Sequence, residues 1–186
     1  MGGQAVVDAT LIELCGDPGF ANDAFRLTRD RFSRRGASMQ PQLAEAHQRA
    51  MVAAPNAVSV QDYARYVKLL TTPDDEATED EIAALAVSPE DTAQAVAAAP
   101  NDPAVRATHA LALLKAGRAE DALGAFDDLT VFFGRVPPAL QAVICLVLAG
   151  QGRGEFAMQA AQSIDQDKLT KEERLLLSGM SSGRGR

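Results

Sequence analysis

Apolar residues recur at three-and-four spacing over most of the chain, as in Val60, Tyr63, Ala64, Val67 and Leu70, or in Leu140, Val143, Ile144 and Val147. That period gathers them on one face of an α-helix, whereas the strict alternation of a strand is almost nowhere found. Helix starts carry side chains that supply acceptors to the free N–H groups of a first turn. Thr78 with Glu81 and Thr170 with Glu173 read as capping boxes, and Ser88 before Pro89 and Asp102 before Pro103 put proline at the first helical position. Glycine or proline marks the ends, at Gly16, Gly36, Pro55, Pro100, Gly117, Gly134 and Gly150. The pattern predicts about eleven helices of roughly ten to sixteen residues, joined by short turns.

The chain also repeats itself. "AAPN" stands at 53–56 and again within "AAAPNDP" at 97–103, each time between two helical runs. "GRAEDALGAF" at 117–126 matches "GFANDAFRLT" at 19–28 in a glycine, an alanine, an aspartate and a second alanine, and "GRGEFAMQAA" at 152–161 shares its Gly, Arg, Glu and Ala. Pro103 and Pro137 open successive helix pairs 34 residues apart. Such spacing is that of a helix-turn-helix unit, which buries one face only by stacking on its neighbour.

In these features the chain resembles the tetratricopeptide repeat family, built from 34-residue antiparallel helix pairs. The best repeat is 103–134: Pro100 closes the preceding unit, Ala110 and Leu113 pack inside the first helix, Gly117 makes the turn, and Ala122 and Phe126 face inward from the second. Weaker repeats cover 5–35 (Leu11, Ile12, Cys15, Gly19, Ala24) and 137–167 (Val143, Ile144, Val147, Gly152, Ala157). The unit 57–100 is interrupted, because "TTPDDEATEDEIAALAV" inserts a short extra helix. His109 and Arg106 stand where the family prefers apolar residues. The resemblance implies an all-α fold, a right-handed α-α superhelix of stacked pairs forming one domain over 1–179, with a flexible tail at 180–186.

In this family the first helices line a concave groove. The resemblance therefore implies groove residues Gln61, Arg65 and Lys68 from one unit, Ala107, Leu111 and Lys115 from the next, and Gln141 and Cys145 from the third. Arg65, Lys68 and Lys115 would suit an acidic peptide or a C-terminal carboxylate. The function implied is non-enzymatic: an interaction module or scaffold holding a peptide or partner domain. The alternative is a structural or self-associating helical domain of a larger polypeptide, a homodimer included, in which the groove is filled by another copy or by the chain's own terminal helix, Leu169 to Leu177. The apolar run at 175–177 would cap the last repeat or dock into a neighbour.

Composition narrows this further. With 186 residues, no Trp and abundant alanine, the core must be made of small and aliphatic side chains that let helices approach closely. A net charge of −7 argues against a general nucleic-acid surface. The run "RLTRDRFSRR" at 26–35 holds five arginines around Phe25 and Phe32, yet carries no recognised nucleic-acid motif. "PDDEATEDE" at 73–81 holds six carboxylates but has no calcium-loop order, and reads as a solvated loop with helix-start acids. Cys15 and Cys145 read as buried small hydrophobes, with no CxxC pair and no metal spacing.

His47 and His109 are the only histidines and belong to no catalytic or metal motif; the first reads as a surface or packing residue, the second as an interhelix contact. No GxSxG, Walker loop or GxGxxG is present, and no cofactor or metal is expected. The N-terminus is too short and too charged for a membrane span, and "MGG" reads as an added leader. The expectation is a soluble chain, cytoplasmic or a soluble domain of a larger protein.

Overall fold

The computed structural model describes residues 2–71, 87–127 and 133–182. Among them are ten α-helices and no strand: α1 (Gly2–Leu14), α2 (Ala21–Arg35), α3 (Gln40–Ala53), α4 (Val58–Thr71), α5 (Pro89–Ala98), α6 (Pro103–Lys115), α7 (Ala119–Gly124), α8 (Pro138–Gly150), α9 (Gly154–Gln162) and α10 (Lys171–Ser182). The capping box at Thr78 and Glu81, the acidic run 73–81 and the inserted helix lie outside the described residues. No helix among the described residues is long and apolar enough to cross a membrane.

The local signals act as their chemistry demands. Ser88 Oγ accepts from Asp91 N at 3.1 Å, and Asp102 Oδ1 accepts from Ala104 N at 2.9 Å, each just before a proline at the first helical position. Thr170 and Glu173 form a reciprocal box: Thr170 N donates to Glu173 Oε2 at 2.9 Å and Glu173 N to Thr170 Oγ1 at 3.2 Å. The twice-written "AAPN" is twice the same turn. Ala54 closes α3 at φ −146°, ψ 68° and Ala99 closes α5 at φ −138°, ψ 65°, each donating to the carbonyl four residues back.

The turns after α6 and α8 also match. Gly117 (φ 73°) and Gly152 (φ 74°) take the left-handed conformation that ends a helix, and Arg118 N and Arg153 N reach back to Leu113 O and Leu148 O in the Schellman pattern. Two expectations are corrected. The second helix of the best repeat stops at Gly124, before Phe126, because glycine is a poor helix former, and Phe126 packs against the core from the following turn. The next first helix begins at Pro138, with Pro137 in extended conformation just before it.

α2 packs between α1 and α3, and α4 packs on α2 and α6. α5 and α7 lie on α6, α8 on α6 and α7, and α9 on α8. The even-numbered helices α2, α4, α6, α8 and α10 thus form an inner row backed by the others. Close approach is carried by alanines: Ala46, Ala50, Ala110, Ala122 and Ala157 are fully buried. One core runs from Cys15 to Val147, and a smaller one joins Cys145, Ile164, Leu169 and Leu177 under α8 to α10. Cys15 and Cys145 are free and buried, as read from the sequence, and burial pushes the Cys145 thiol up to about 11.

The row curls until its ends meet. α10 packs on α4 as well as on α8 and α9, and α2 touches α8. Arg34 Nη1 donates to the carbonyl of Arg135, and Gly36 lies against the backbone of Lys168. An open array, in which each unit touches only its neighbours, makes no such contacts.

Candidate functional site

Curling of the inner row encloses a cleft of about 1260 Å³. α2 contributes Asn22, Arg26, Leu27, Arg29 and Asp30, α3 contributes Gln40, Leu43 and His47, and α4 contributes Tyr63, Val67 and Leu70. The α5–α6 turn adds Pro100 and Pro103, α8 adds Ala139, Leu140 and Val143, and α10 adds Glu172 and Glu173. Most of this wall is apolar, and Leu27 and Val67 on it are 50% and 39% exposed.

Arg29 is the polar centre of the cleft, though only 9% exposed. Its Nη1 donates to Asp62 Oδ2 at 2.6 Å, and Thr108 Oγ1 donates to the same oxygen at 3.0 Å. Its guanidinium carbon lies 5.3 Å from the ring centre of Tyr63 and 5.5 Å from that of Tyr66, so the planar cation is held against two tyrosine rings. Asp62 is fully buried, and its Oδ1 has no hydrogen-bond partner among the described residues. Burial pushes the Asp62 carboxyl above its ordinary range, against the pull of Arg29 and of the Thr108 hydroxyl.

Around this pair the other titratable groups are held in place. His47 forms a triangle with Phe25 and Tyr63, at centroid distances of 5.3 Å and 5.0 Å, and its Nε2 lies 3.1 Å from Val60 O, which makes Nε2 the donor. Burial lowers the His47 pKa, so the ring is neutral near pH 7. Tyr66 donates to Glu173 Oε1 at 3.0 Å, and burial raises both groups above their ordinary values. His109 lies at an interhelix contact, with Nδ1 2.8 Å from Thr92 Oγ1 of α5.

Of the eight residues expected to line the groove, only Ala107 lies on the cleft. Ala107, Leu111 and Cys145 are buried rather than exposed. Gln61, Arg65 and Lys68 are half-buried and occupy the face of α4 opposite to Tyr63, Tyr66, Val67 and Leu70, as 100° per residue requires. Lys115 and Gln141 are half-buried and away from the cleft. The Gln61 amide donates to Pro55 O and that of Gln141 to Val136 O at 2.9 Å, so both serve turns at helix starts.

The arginine-rich run is structural in the same sense, since each of its five arginines stands by an aspartate. Arg26 lies 4.0 Å from Asp23, Arg29 pairs with Asp62, Arg31 and Arg35 both hold Asp8, and Arg34 pairs with Asp30. Sequence reasoning missed Arg29, Tyr63, Tyr66 and Glu173 as a group. The available signal was an aspartate, Asp62, within the apolar period of α4, which a buried position admits only with a partner. Among the described residues no cluster of three or more His, Cys, Asp or Glu is arranged to hold a metal. Compared with protein-family models, curated proteins and solved structures, the chain finds no match in any of the three.

Proposed function

We propose that this chain is a non-enzymatic interaction module, a tetratricopeptide-like array of helix pairs that holds a segment of a partner protein in the cleft between α2, α4 and α8. The observation that carries this reading is an apolar wall, with Leu27 and Val67 left exposed on it, enclosing about 1260 Å³. Small-molecule sites are commonly about 300–1000 Å³, and exposed apolar side chains gathered in a concavity mark a surface that a partner covers. The matched turns at Gly117 and Gly152 support the repeat reading, and the engagement of His47, Asp62 and Glu173 in internal contacts supports a binding rather than a catalytic role.

The test compares the cleft with the basic residues Lys68 and Lys115, which lie away from it. A partner captured by the wild-type chain is expected to be lost from the Leu27→Glu and Val67→Glu variants and retained by Lys68→Glu with Lys115→Glu. Loss only in the lysine variant would return the site to those lysines.

A second reading, self-association, rests on the far end of the array. Phe156 on α9 and Leu175 on α10 are 61% and 59% exposed there. It predicts a dimer in solution that Phe156→Glu dissociates; a monomeric wild type removes it.

A further inference from the structure

The hydrogen-bonding groups of the cleft narrow its occupant. Asp62 takes only Nη1 of Arg29, and Asp62 Oδ1 is the one buried side-chain polar atom without a partner among the described residues. Nη1 is the only nitrogen of Arg29 with a hydrogen-bond acceptor among the described residues, and Arg29 lines the cleft, so Nε and Nη2 remain for a ligand there. Asn22, two turns earlier on the same face of α2, accepts through Oδ1 from Ser59 N at 3.2 Å and from Ser59 Oγ at 2.7 Å. A backbone N–H can only donate, so Oδ1 is fixed and the Asn22 NH2 group is left for a ligand. Seven residues separate the two sites, about 10 Å along the helix. What the cleft offers at both points is donors, and what it needs is acceptors.

Charge and backbone geometry decide which acceptors. Arg29 is already paired with Asp62, and the other charges on the cleft, Arg26 and Arg34 against Asp30, Asp102, Glu172 and Glu173, include both signs, so no excess positive field draws an anion inward. A helical segment spends its carbonyls on itself, whereas an extended one presents them outward about every 7 Å on one side. We propose that the cleft takes an uncharged, apolar segment in extended form, whose main-chain carbonyls accept from the Arg29 edge and from the Asn22 amide while its side chains meet Leu27 and Val67. The proposal rests on the cleft being the partner site, and it replaces the acidic peptide that Arg65, Lys68 and Lys115 suggested.

The test uses two pools of acetylated, amidated decapeptides with affinity capture and mass readout. One pool is random in Ala, Leu, Val, Pro, Ser and Gly; the other carries two fixed glutamates in addition. The wild-type chain is expected to retain the neutral pool, with less than about twofold change between about 0.05 and 0.5 M salt. The Arg29→Met, Asp62→Leu double variant, which removes the donors without leaving a lone charge, is expected to lose about tenfold or more in retention. Asn22→Ala, at an exposed position, is expected to lose severalfold and serves if the double variant does not fold. Preference for the acidic pool, with retention falling steeply in salt, overturns the proposal. Loss on Val67→Glu alone, with Asn22 and Arg29 variants unaffected, overturns the carbonyl assignment and leaves the cleft as the partner site. Retention indifferent to Val67→Glu, or no retention of either pool, overturns both.

Discussion

Tyr66 on α4 donates its phenolic hydrogen to Glu173 on α10 at 3.0 Å, although 107 residues separate them. The same carboxylate closes the capping box of α10 through its other oxygen, so one buried side chain both starts the last helix and fastens it to the inner row. α10 becomes a wall of the cleft through this bond rather than a cap at the end of an array.

Tyr66→Phe removes the bond and leaves Glu173 Oε1 buried without its donor. A loss of about 1–2 kcal/mol in urea unfolding is expected, and the amides of α10 should exchange faster while those of α5 do not. Uniform acceleration over all helices would show that the contact does not specifically hold α10.

Arg29→Ala is expected to be far more costly. It leaves the fully buried Asp62 with Thr108 as its only partner, a situation that typically costs about 3–5 kcal/mol. Arg29→Met with Asp62→Leu should recover most of that loss. The comparison, made by urea unfolding as a double-mutant cycle, separates the cost of an orphaned charge from the worth of the pair.

Gly36 and Gly117 provide a contrast in both backbone and packing. Both have positive φ, at 92° and 73°; alanine at Gly117 carries the strain of the left-handed region, about 1–2 kcal/mol, while Gly36, with ψ −165°, lies in a region open essentially to glycine alone. At Gly117 an added Cβ meets nothing within 4 Å, whereas at Gly36 it falls 2.6 Å from Lys168 Cα. Gly36→Ala should therefore lower the melting temperature clearly more than Gly117→Ala, because it also forces apart the two ends of the row.

His47 sets a pH dependence of known sign. Burial, with the nearby Arg29 charge, lowers its folded-state pKa from the ordinary 6.5, against the effect of the Val60 carbonyl. Below about pH 6.5 the unfolded chain takes up a proton that the folded chain refuses, so this residue's contribution is lost as pH falls. His47→Leu should show a shallower loss of stability than the wild type between about pH 7.5 and 5.5, measured by urea unfolding. An unchanged slope would mean that the ring titrates alike in both states.

The sequence by itself determined the helices and their punctuation. Ser88, Asp102 and Thr170 act on N–H groups within three residues, and Gly117 and Gly152 on carbonyls five or fewer residues back, so each signal needs nothing from the rest of the chain. Repetition was legible for the same reason, since "AAPN" is a turn whose bonds are all local. The cleft was not legible. Periodicity fixes how the residues of α4 are arranged around its axis, but the rotation of that axis is set by packing on α2 and α6, and this put Tyr63, Tyr66 and Val67 on the cleft in place of Gln61, Arg65 and Lys68. Likewise five arginines in ten residues say nothing of which one is buried. That was decided by Asp62, 33 residues away, because a charge can leave water only where the folded chain brings its partner.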